Sequence, residues 1–78
     1  MSITRKSIEK IALPYLVRNN GVTYIRSEDV DAFMEDINSK YINVYIVIEK
    51  SEIGRDKLVV GNLTSKVKKP LYTVHIEG

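Results

Sequence analysis

The stretch Tyr41-Ile42-Asn43-Val44-Tyr45-Ile46-Val47-Ile48-Glu49-Lys50 decides the fold, because it carries the strongest β-strand pattern in the sequence. Side chains alternate between the two faces of a strand, so every second residue shares a face. One face of this stretch is apolar along its whole length: Ile42, Val44, Ile46 and Ile48. We therefore expect the strand to lie within a sheet, with the helices packed against its isoleucine face.

The length of 78 residues indicates a single domain, 1–78, with one small core. Domains of this size are often stabilised by disulfides, metal or association. The sequence has no cysteine, which excludes disulfides and thiolate metal sites and leaves a well-packed core or a homodimer. The absence of cysteine and of a signal-peptide pattern favours a cytoplasmic protein. No apolar run approaches the roughly 18 residues needed to cross a bilayer.

Residues 4–18 show the spacing of an amphipathic helix. Pro14 interrupts this helix, because proline removes a backbone hydrogen bond and crowds the preceding turn. Either the helix kinks there, or one helix ends near Ala12 and another turn begins with Pro14 at its first position. The apolar stripe continues past Pro14, so the sequence favours a kinked or broken but roughly continuous element. Asn19-Asn20-Gly21 is expected to end it, with Gly21 in the left-handed C-terminal position.

A second, acidic helix is predicted over residues 28–38, after a short strand at 22–26. Ser27 is suited to cap its start, and carboxylates are favourable in the first helical turn. Four apolar residues follow at the spacing of one core-facing helix stripe: Val30, Phe33, Met34 and Ile37.

Two further strand patterns occur in the second half of the chain, at residues 57–60 and 71–76. Gly61-Asn62 is expected to break or bulge the first of them, and a polar, basic connection closed by Pro70 precedes the second. The predicted order is helix, strand, helix, strand, strand, strand. The simplest burial scheme is an α+β fold in which two helices pack on one face of a mainly antiparallel sheet of three or four strands.

Charge is distributed unevenly along the chain, although the net charge is only +2. Residues 1–26 carry +4, residues 27–36 carry −5 and residues 37–78 carry +3. In the acidic block, Glu28, Asp31 and Glu35 share one helix face at three- and four-residue spacing. Such a face is typical of a solvated helix. Its functional interpretation is a docking surface for a basic partner.

Tyr41 and Tyr45 are predicted to share the less apolar face of the quoted strand. Tyrosines on half-buried strands often pack at the rim of a core with their hydroxyls in water. They are also enriched at protein interfaces. If the first helix does not cover this face, it is the best candidate interaction surface.

A separate set of candidates is basic and would suit a nucleic acid: Arg5, Lys6 and Lys10 on the first helix, and Lys66, Lys68 and Lys69 before the last strand. Such side chains can neutralise phosphates. However, nucleic-acid-binding domains usually carry a larger basic excess, and lysines also protect strand edges from unwanted pairing. Nucleic-acid binding is therefore the alternative hypothesis.

Motifs for catalysis or cofactor binding do not emerge from the sequence. His75 is the sole histidine, no acid–base partner for it is indicated, and the glycines do not form a phosphate-binding loop. We therefore expect neither enzyme activity nor a cofactor or metal ion.

The leading interpretation is a small non-enzymatic protein-binding or regulatory module. It would use a strand edge, the face of Tyr41 and Tyr45 or the acidic helix to bind another protein, and open strand edges also favour a homodimer. Compact, cysteine-free chains with segregated charge are common among phage and mobile-element accessory proteins, which is an analogy of kind only.

Overall fold

The computed structural model describes residues 3–52, 54–63 and 68–77. These residues form an α+β fold, as predicted, with two α-helices and five strands. In chain order the elements are α1 (Arg5–Ala12), β1 (Leu16–Asn19), β2 (Val22–Ile25), α2 (Val30–Lys40), β3 (Val44–Glu49), β4 (Lys57–Leu63) and β5 (Lys68–Ile76). Short 3-10 turns at Leu13–Tyr15 and Ser27–Asp29 precede β1 and α2.

The five strands form one mixed sheet in the order β1-β2-β5-β4-β3. The pairings β1–β2, β4–β5 and β3–β4 are antiparallel, whereas β2 and β5 run parallel, with Ile25 beside Ile76. The predicted sheet of three or four strands is therefore too small. The last strand of the chain is central in the sheet, and the stretch that carries the strongest β pattern is at an edge.

The N-terminal third departs most from the prediction, because the helix expected over residues 4–18 ends at Ala12. Pro14 lies in the 3-10 turn that follows. Asn20 and Gly21 have φ angles of 53° and 77°. Positive φ at both central residues is the requirement of a type I′ turn, which joins two antiparallel strands. Asn20-Gly21 therefore forms a hairpin turn between β1 and β2, and the predicted continuous helix is wrong beyond Ala12.

The two helix starts are built differently. Thr4 caps α1: its Oγ1 accepts from the Ser7 N–H, and the Ser7 Oγ accepts from the Thr4 N–H. This reciprocal pair satisfies two backbone donors that a helix start leaves free. Ser27 was expected to cap the acidic helix, but it instead begins the 3-10 turn, and α2 runs from Val30 to Lys40 rather than over 28–38.

Both helices pack on the same face of the sheet and share one hydrophobic core. Its helix members include Ile8, Ile11, Val30, Phe33 and Ile37, and its sheet members are Ile25, Leu58, Val60, Val74 and Ile76. These sheet residues belong to β2, β4 and β5. The helices therefore cover the three central strands, and the opposite face, here called the open face, carries neither α1 nor α2.

The position of β3 at the sheet edge corrects the expectation that its isoleucine face is buried throughout. Ile42 precedes the strand and is 84% exposed, and Ile48 is 43% exposed. Val44 and Ile46 are half-buried and pack against the rim of the core. The physical reason is that the core-forming helix residues lie over the central strands and leave the outer strand only partly covered.

The break or bulge expected in the strand at Gly61-Asn62 is absent, because β4 continues through these residues to Leu63, and the extra residue at this point is Leu71 of β5. The pairing of β4 with β5 shifts register between Val60 and Gly61. Among the described residues, no helix is long and apolar enough to span a membrane.

Candidate protein-binding site

The outer edge of β3 presents backbone hydrogen-bonding groups that β4 does not use. The Leu63 N–H donates to the Asn43 carbonyl across the β3–β4 pair, at 2.7 Å. Bonded and non-bonded positions alternate along an antiparallel strand. With Val44 opposite Asn62, the backbone groups of Tyr45 and Val47 point toward β4. The N–H and C=O groups of Val44, Ile46 and Ile48 therefore point outward.

The edge lacks the features that usually protect a strand from pairing. Protected edges are short or carry lysine, proline or inward-pointing charges. β3 has six residues, Val44-Tyr45-Ile46-Val47-Ile48-Glu49, and its sole charge is at the last position. Val47 and Ile48, on opposite faces, are 39% and 43% exposed. No described residue pairs with the outer backbone groups of the strand, which therefore offers these groups and apolar side chains to a second strand.

A groove of about 550 Å³ adjoins this edge on the helix side of the sheet. It lies between the start of α2 and the end of β3. Its apolar floor includes Val30, Ile48 and Ile76, and its charged lining includes Asp31 and Lys50. A side chain entering beside Ile48 would therefore meet an apolar surface with both signs of charge at its margin.

The loop between β3 and β4 is held by Asp56. Its carboxylate accepts the Ser51 N–H at 3.1 Å and the Lys50 Nζ at 3.3 Å. The hydrogen bond from Ser51 lowers the pKa of Asp56, partial desolvation opposes this change, and Lys50 lowers the pKa further. The Asp56 carbonyl also accepts the Ile76 N–H at 2.8 Å. These bonds fix the end of β3 beside the groove.

The open face carries two tyrosines that are each paired with a cation. The Arg55 guanidinium carbon lies 5.3 Å from the Tyr24 ring centroid, and the Lys68 Nζ lies 5.7 Å from that of Tyr45. Tyr24 is only 6% exposed although it is on the face without helices. Because cations already occupy these positions, the rings form a poorer stacking surface for a ligand than two uncovered tyrosines would.

The structure separates the two tyrosines that the sequence placed on one face. Tyr41 follows α2 and packs against the core on the helix side. Tyr45 points to the open face, where it lies over Gly61. Asn43 has a positive φ of 60°. This turn ends the regular alternation before the strand begins, so residues 41 and 45 do not form a joint surface.

The predicted acidic residues all lie at the surface. Asp31 and Glu35 are exposed on α2, and Glu28 is exposed in the 3-10 turn before it. Asp31 also lines the groove beside β3, which the sequence alone did not indicate. In contrast, Asp36 is half-buried and accepts a hydrogen bond from the Tyr15 hydroxyl, so it serves the packing of α2.

The basic candidates are only partly brought together. Arg5, Lys6 and Lys10 are exposed on α1, where Arg5 pairs with Glu9 at 3.0 Å. Lys68 and Lys69 are exposed at the start of β5, and Lys66 lies outside the described residues. Arg5 borders a shallow surface groove with residues 70–73 of β5. It is therefore next to the strand segment that immediately follows Lys69.

The feature that sequence reasoning missed is the location of the edge. A strand pattern shows which side chains share a face, but it does not show which neighbour each side of the strand has. The rarity of charge within the stretch gave no signal of an edge, because edge strands usually carry charge and central strands do not. In comparisons with protein-family models, curated proteins and solved structures, no match was found for the chain.

Proposed function

We propose that this protein is a small protein-binding module that captures an extended segment of a partner along the outer edge of β3. The observation that carries the proposal is the six-residue β3, whose outer backbone groups at Val44, Ile46 and Ile48 are unused by β4. Addition of a strand satisfies such groups, with affinity from backbone bonds and specificity from alternate side chains.

The surroundings of the edge support this mode of binding. Ile48 contributes to both the edge and the groove beside it, so an added strand can place apolar side chains against the same surface. The charged groups Asp31 and Lys50 at the groove would select the ends of the segment by charge. The acidic helix then contributes to specificity and does not form the main contact.

A selection of displayed random peptides against the whole chain tests the proposal. We expect peptides with alternating apolar residues, which are typical of strands, to be enriched. Their affinity should fall about fivefold in Ile48→Pro, because proline removes an outward N–H worth about 1 kcal/mol. The N–H of Ile48 does not bond β4, so the sheet should persist, as checked by circular dichroism.

Ile48→Val is the matched control, because it keeps the N–H and a β-branched apolar side chain. Its affinity for the selected peptides should remain close to that of the wild type. A second comparison uses the double charge reversal Asp31→Lys with Glu35→Lys. If the double reversal abolishes binding and Ile48→Pro does not, the acidic helix is the binding surface and the edge proposal fails.

A second candidate function is nucleic-acid binding, favoured by one observation. Arg5 borders the groove formed by residues 70–73, which brings the basic start of α1 close to the segment after Lys68 and Lys69. Binding driven by phosphate contacts weakens steeply as salt is raised. Titration of generic single- and double-stranded DNA and RNA at low salt tests this function, and absence of binding there rules it out.

A further inference from the structure

We infer that the strand captured by β3 is β3 of a second copy of the same chain, paired antiparallel about a two-fold axis at Ile46. This inference rests on the proposed function and names its partner. The two five-stranded sheets would join into one continuous sheet of ten strands. The helices of both copies would lie on the same side of that sheet, because the axis is perpendicular to it.

The backbone pattern permits this pairing. Val44, Ile46 and Ile48 direct their N–H and C=O groups outward. An axis at Ile46 places Ile46 opposite its own copy and Val44 opposite Ile48. In an antiparallel pair, such opposed residues exchange both of their backbone hydrogen bonds. Every outward group from residue 44 to residue 48 therefore has a partner in the second copy.

The side chains are self-complementary in this register. On the helix side, Ile46 meets Ile46, and Val44 meets Ile48, so all contacts are apolar. On the open face, Tyr45 lies opposite Val47, which gives two aromatic–β-branched pairs, one on each side of the axis. Cross-strand pairs of this kind stabilise sheets. Isologous contact requires such self-complementarity, since the same patch serves both copies.

The charged and exposed ends of the edge also agree with the register. Glu49 would lie opposite the neutral Asn43, so no like charges face one another across the pair. Lys50 follows the last residue of β3 and lies beyond the paired residues 44–48, so it does not face an apolar side chain across the pair.

A slip of the axis to Val47 is less favourable. It would place Tyr45 opposite Glu49 and Val44 opposite Lys50, so that apolar side chains would face charged ones. Register is strongly specified when a slip disturbs the side chains that are buried. The opposite slip, to Tyr45, would pair only residues 44–46 and leave Ile48 beyond the start of the partner's β3. The Ile46 axis therefore pairs five residues of the strand without placing a charge opposite an apolar side chain.

Cysteine cross-linking tests the register directly, since the natural chain has no cysteine. Opposed residues in bonded antiparallel positions have Cα atoms about 5.5 Å apart, within the range for a disulfide. We expect Ile46→Cys to form a disulfide dimer with itself under mild oxidation. Val44→Cys and Ile48→Cys should cross-link with each other when mixed, and not when alone, because each is four residues from its own copy, about 13 Å.

If Ile46→Cys instead cross-links with Ile48→Cys, the register has slipped and the inference is overturned. Random collision predicts equal cross-linking in all mixtures, which would also overturn it. Light scattering of the natural chain over a concentration series provides the independent readout. The mass should rise from 8.9 kDa toward twice that value. It should remain that of one chain in Ile48→Pro and rise normally in Ile48→Val.

Failure of this inference is distinguishable from failure of the proposed function. A chain that stays monomeric at all concentrations, but whose β3 edge still binds displayed peptides in an Ile48→Pro-sensitive way, overturns the homodimer and leaves the proposed function intact. A monomeric chain that binds no peptide at this edge overturns both. A dimer that persists in Ile48→Pro assembles through another surface and overturns the inference.

Discussion

The hydroxyl of Tyr15 donates a hydrogen bond to the carboxylate of Asp36, which ties the turn after α1 to the middle of α2. The same ring packs edge-on against Phe33, with the centroids 6.0 Å apart. One side chain thus joins the two helices through both an apolar and a polar contact. Because the helices form one side of the single core, this link stabilises the platform on which the β3 edge is displayed.

Replacing Tyr15 with phenylalanine should lower stability while it keeps the ring contact with Phe33. The hydrogen bond to Asp36 raises the pKa of Tyr15 above its ordinary value of 10.0, with burial and neighbouring carboxylates acting in the same direction. A raised pKa means that the folded state favours the protonated hydroxyl. The hydrogen bond from Tyr15 to Asp36 therefore stabilises the fold fully below the ordinary tyrosine pKa. This stabilisation is lost as the pH rises through the raised pKa.

Urea unfolding of the wild type and Tyr15→Phe at neutral and alkaline pH measures this contribution. The stability difference between the two proteins should shrink as the pH increases past the ordinary tyrosine pKa. The comparison with Tyr15→Phe removes the background of the other tyrosines. A difference that stays constant through the alkaline range would show that the hydrogen bond to Asp36 does not stabilise the fold.

Two leucines provide a matched test of the core. Leu58 on β4 is fully buried, whereas Leu13 in the turn after α1 is 70% exposed. Leu58→Ala should destabilise by about 2–5 kcal/mol, since it leaves a cavity beneath the helices. Leu13→Ala should change stability by no more than about 0.5 kcal/mol. Similar losses at both positions in urea unfolding would contradict the assigned helix face of the sheet.

Gly61 is required by close packing where the pairing of β4 with β5 shifts register. A Cβ at this position would lie 2.5 Å from Tyr45 Cε1 and closer still to the carbonyl oxygen of Lys69. Gly61→Ala should therefore cost about 1–3 kcal/mol, as overpacking does. Gly54→Ala is the control, because a Cβ there would meet only the Ser51 Oγ, at 3.5 Å. Equal thermal midpoints for the two variants would argue against the Tyr45–Gly61 packing.

Protonation of Asp56 should lower the stability of the fold in acid. Its pKa is lowered from 3.8, first by the hydrogen bond from the Ser51 N–H, with partial desolvation opposing and Lys50 assisting. A lowered pKa means that the ionised Asp56 carboxylate stabilises the fold. This stabilisation is complete at pH values above the ordinary pKa and is lost as the pH falls through the lowered pKa. Asp56→Asn should therefore be less stable than the wild type at neutral pH and approach it in acid.

The control for Asp56→Asn is Glu52→Gln, which removes an exposed carboxylate from the same loop. Its urea midpoint should follow that of the wild type over the acid range. If Asp56→Asn keeps the same stability deficit in acid as at neutral pH, ionisation of Asp56 is not what holds the loop.

The parts of the fold set by local pattern could be predicted from the sequence. The apolar spacing of Val30, Phe33 and Ile37 identified the core side of the acidic helix, and alternation identified the strands of the second half. The hairpin at Asn20-Gly21 was missed for a physical reason. A positive φ suits both a helix end and a type I′ turn. The apolar stripe across Pro14 favoured a helix end at this point. Only the pairing of β1 with β2 shows that Asn20-Gly21 is a hairpin turn.

The parallel contact of β2 with β5 could not be predicted, because it depends on how α2, β3 and β4 return the chain to the middle of the sheet. The location of the candidate site could not be predicted from the sequence either. The sequence indicated a strand edge, but it assigned the isoleucine stretch to the interior. A strand flanked on both sides and a strand flanked on one side can have the same alternation, so the exposed edge became identifiable only from the sheet order.

Amide hydrogen exchange of β3, measured residue by residue with and without the tightest peptide from the display selection, tests the central claim most directly. In the dilute free chain, we expect slow exchange at Tyr45 and Val47, whose N–H groups bond β4, and fast exchange at Val44, Ile46 and Ile48. Binding of the peptide should slow amide exchange at Val44, Ile46 and Ile48. Fast exchange at Ile46 and Ile48 in the bound state, or new protection confined to α2, would contradict the claim that β3 is the binding edge.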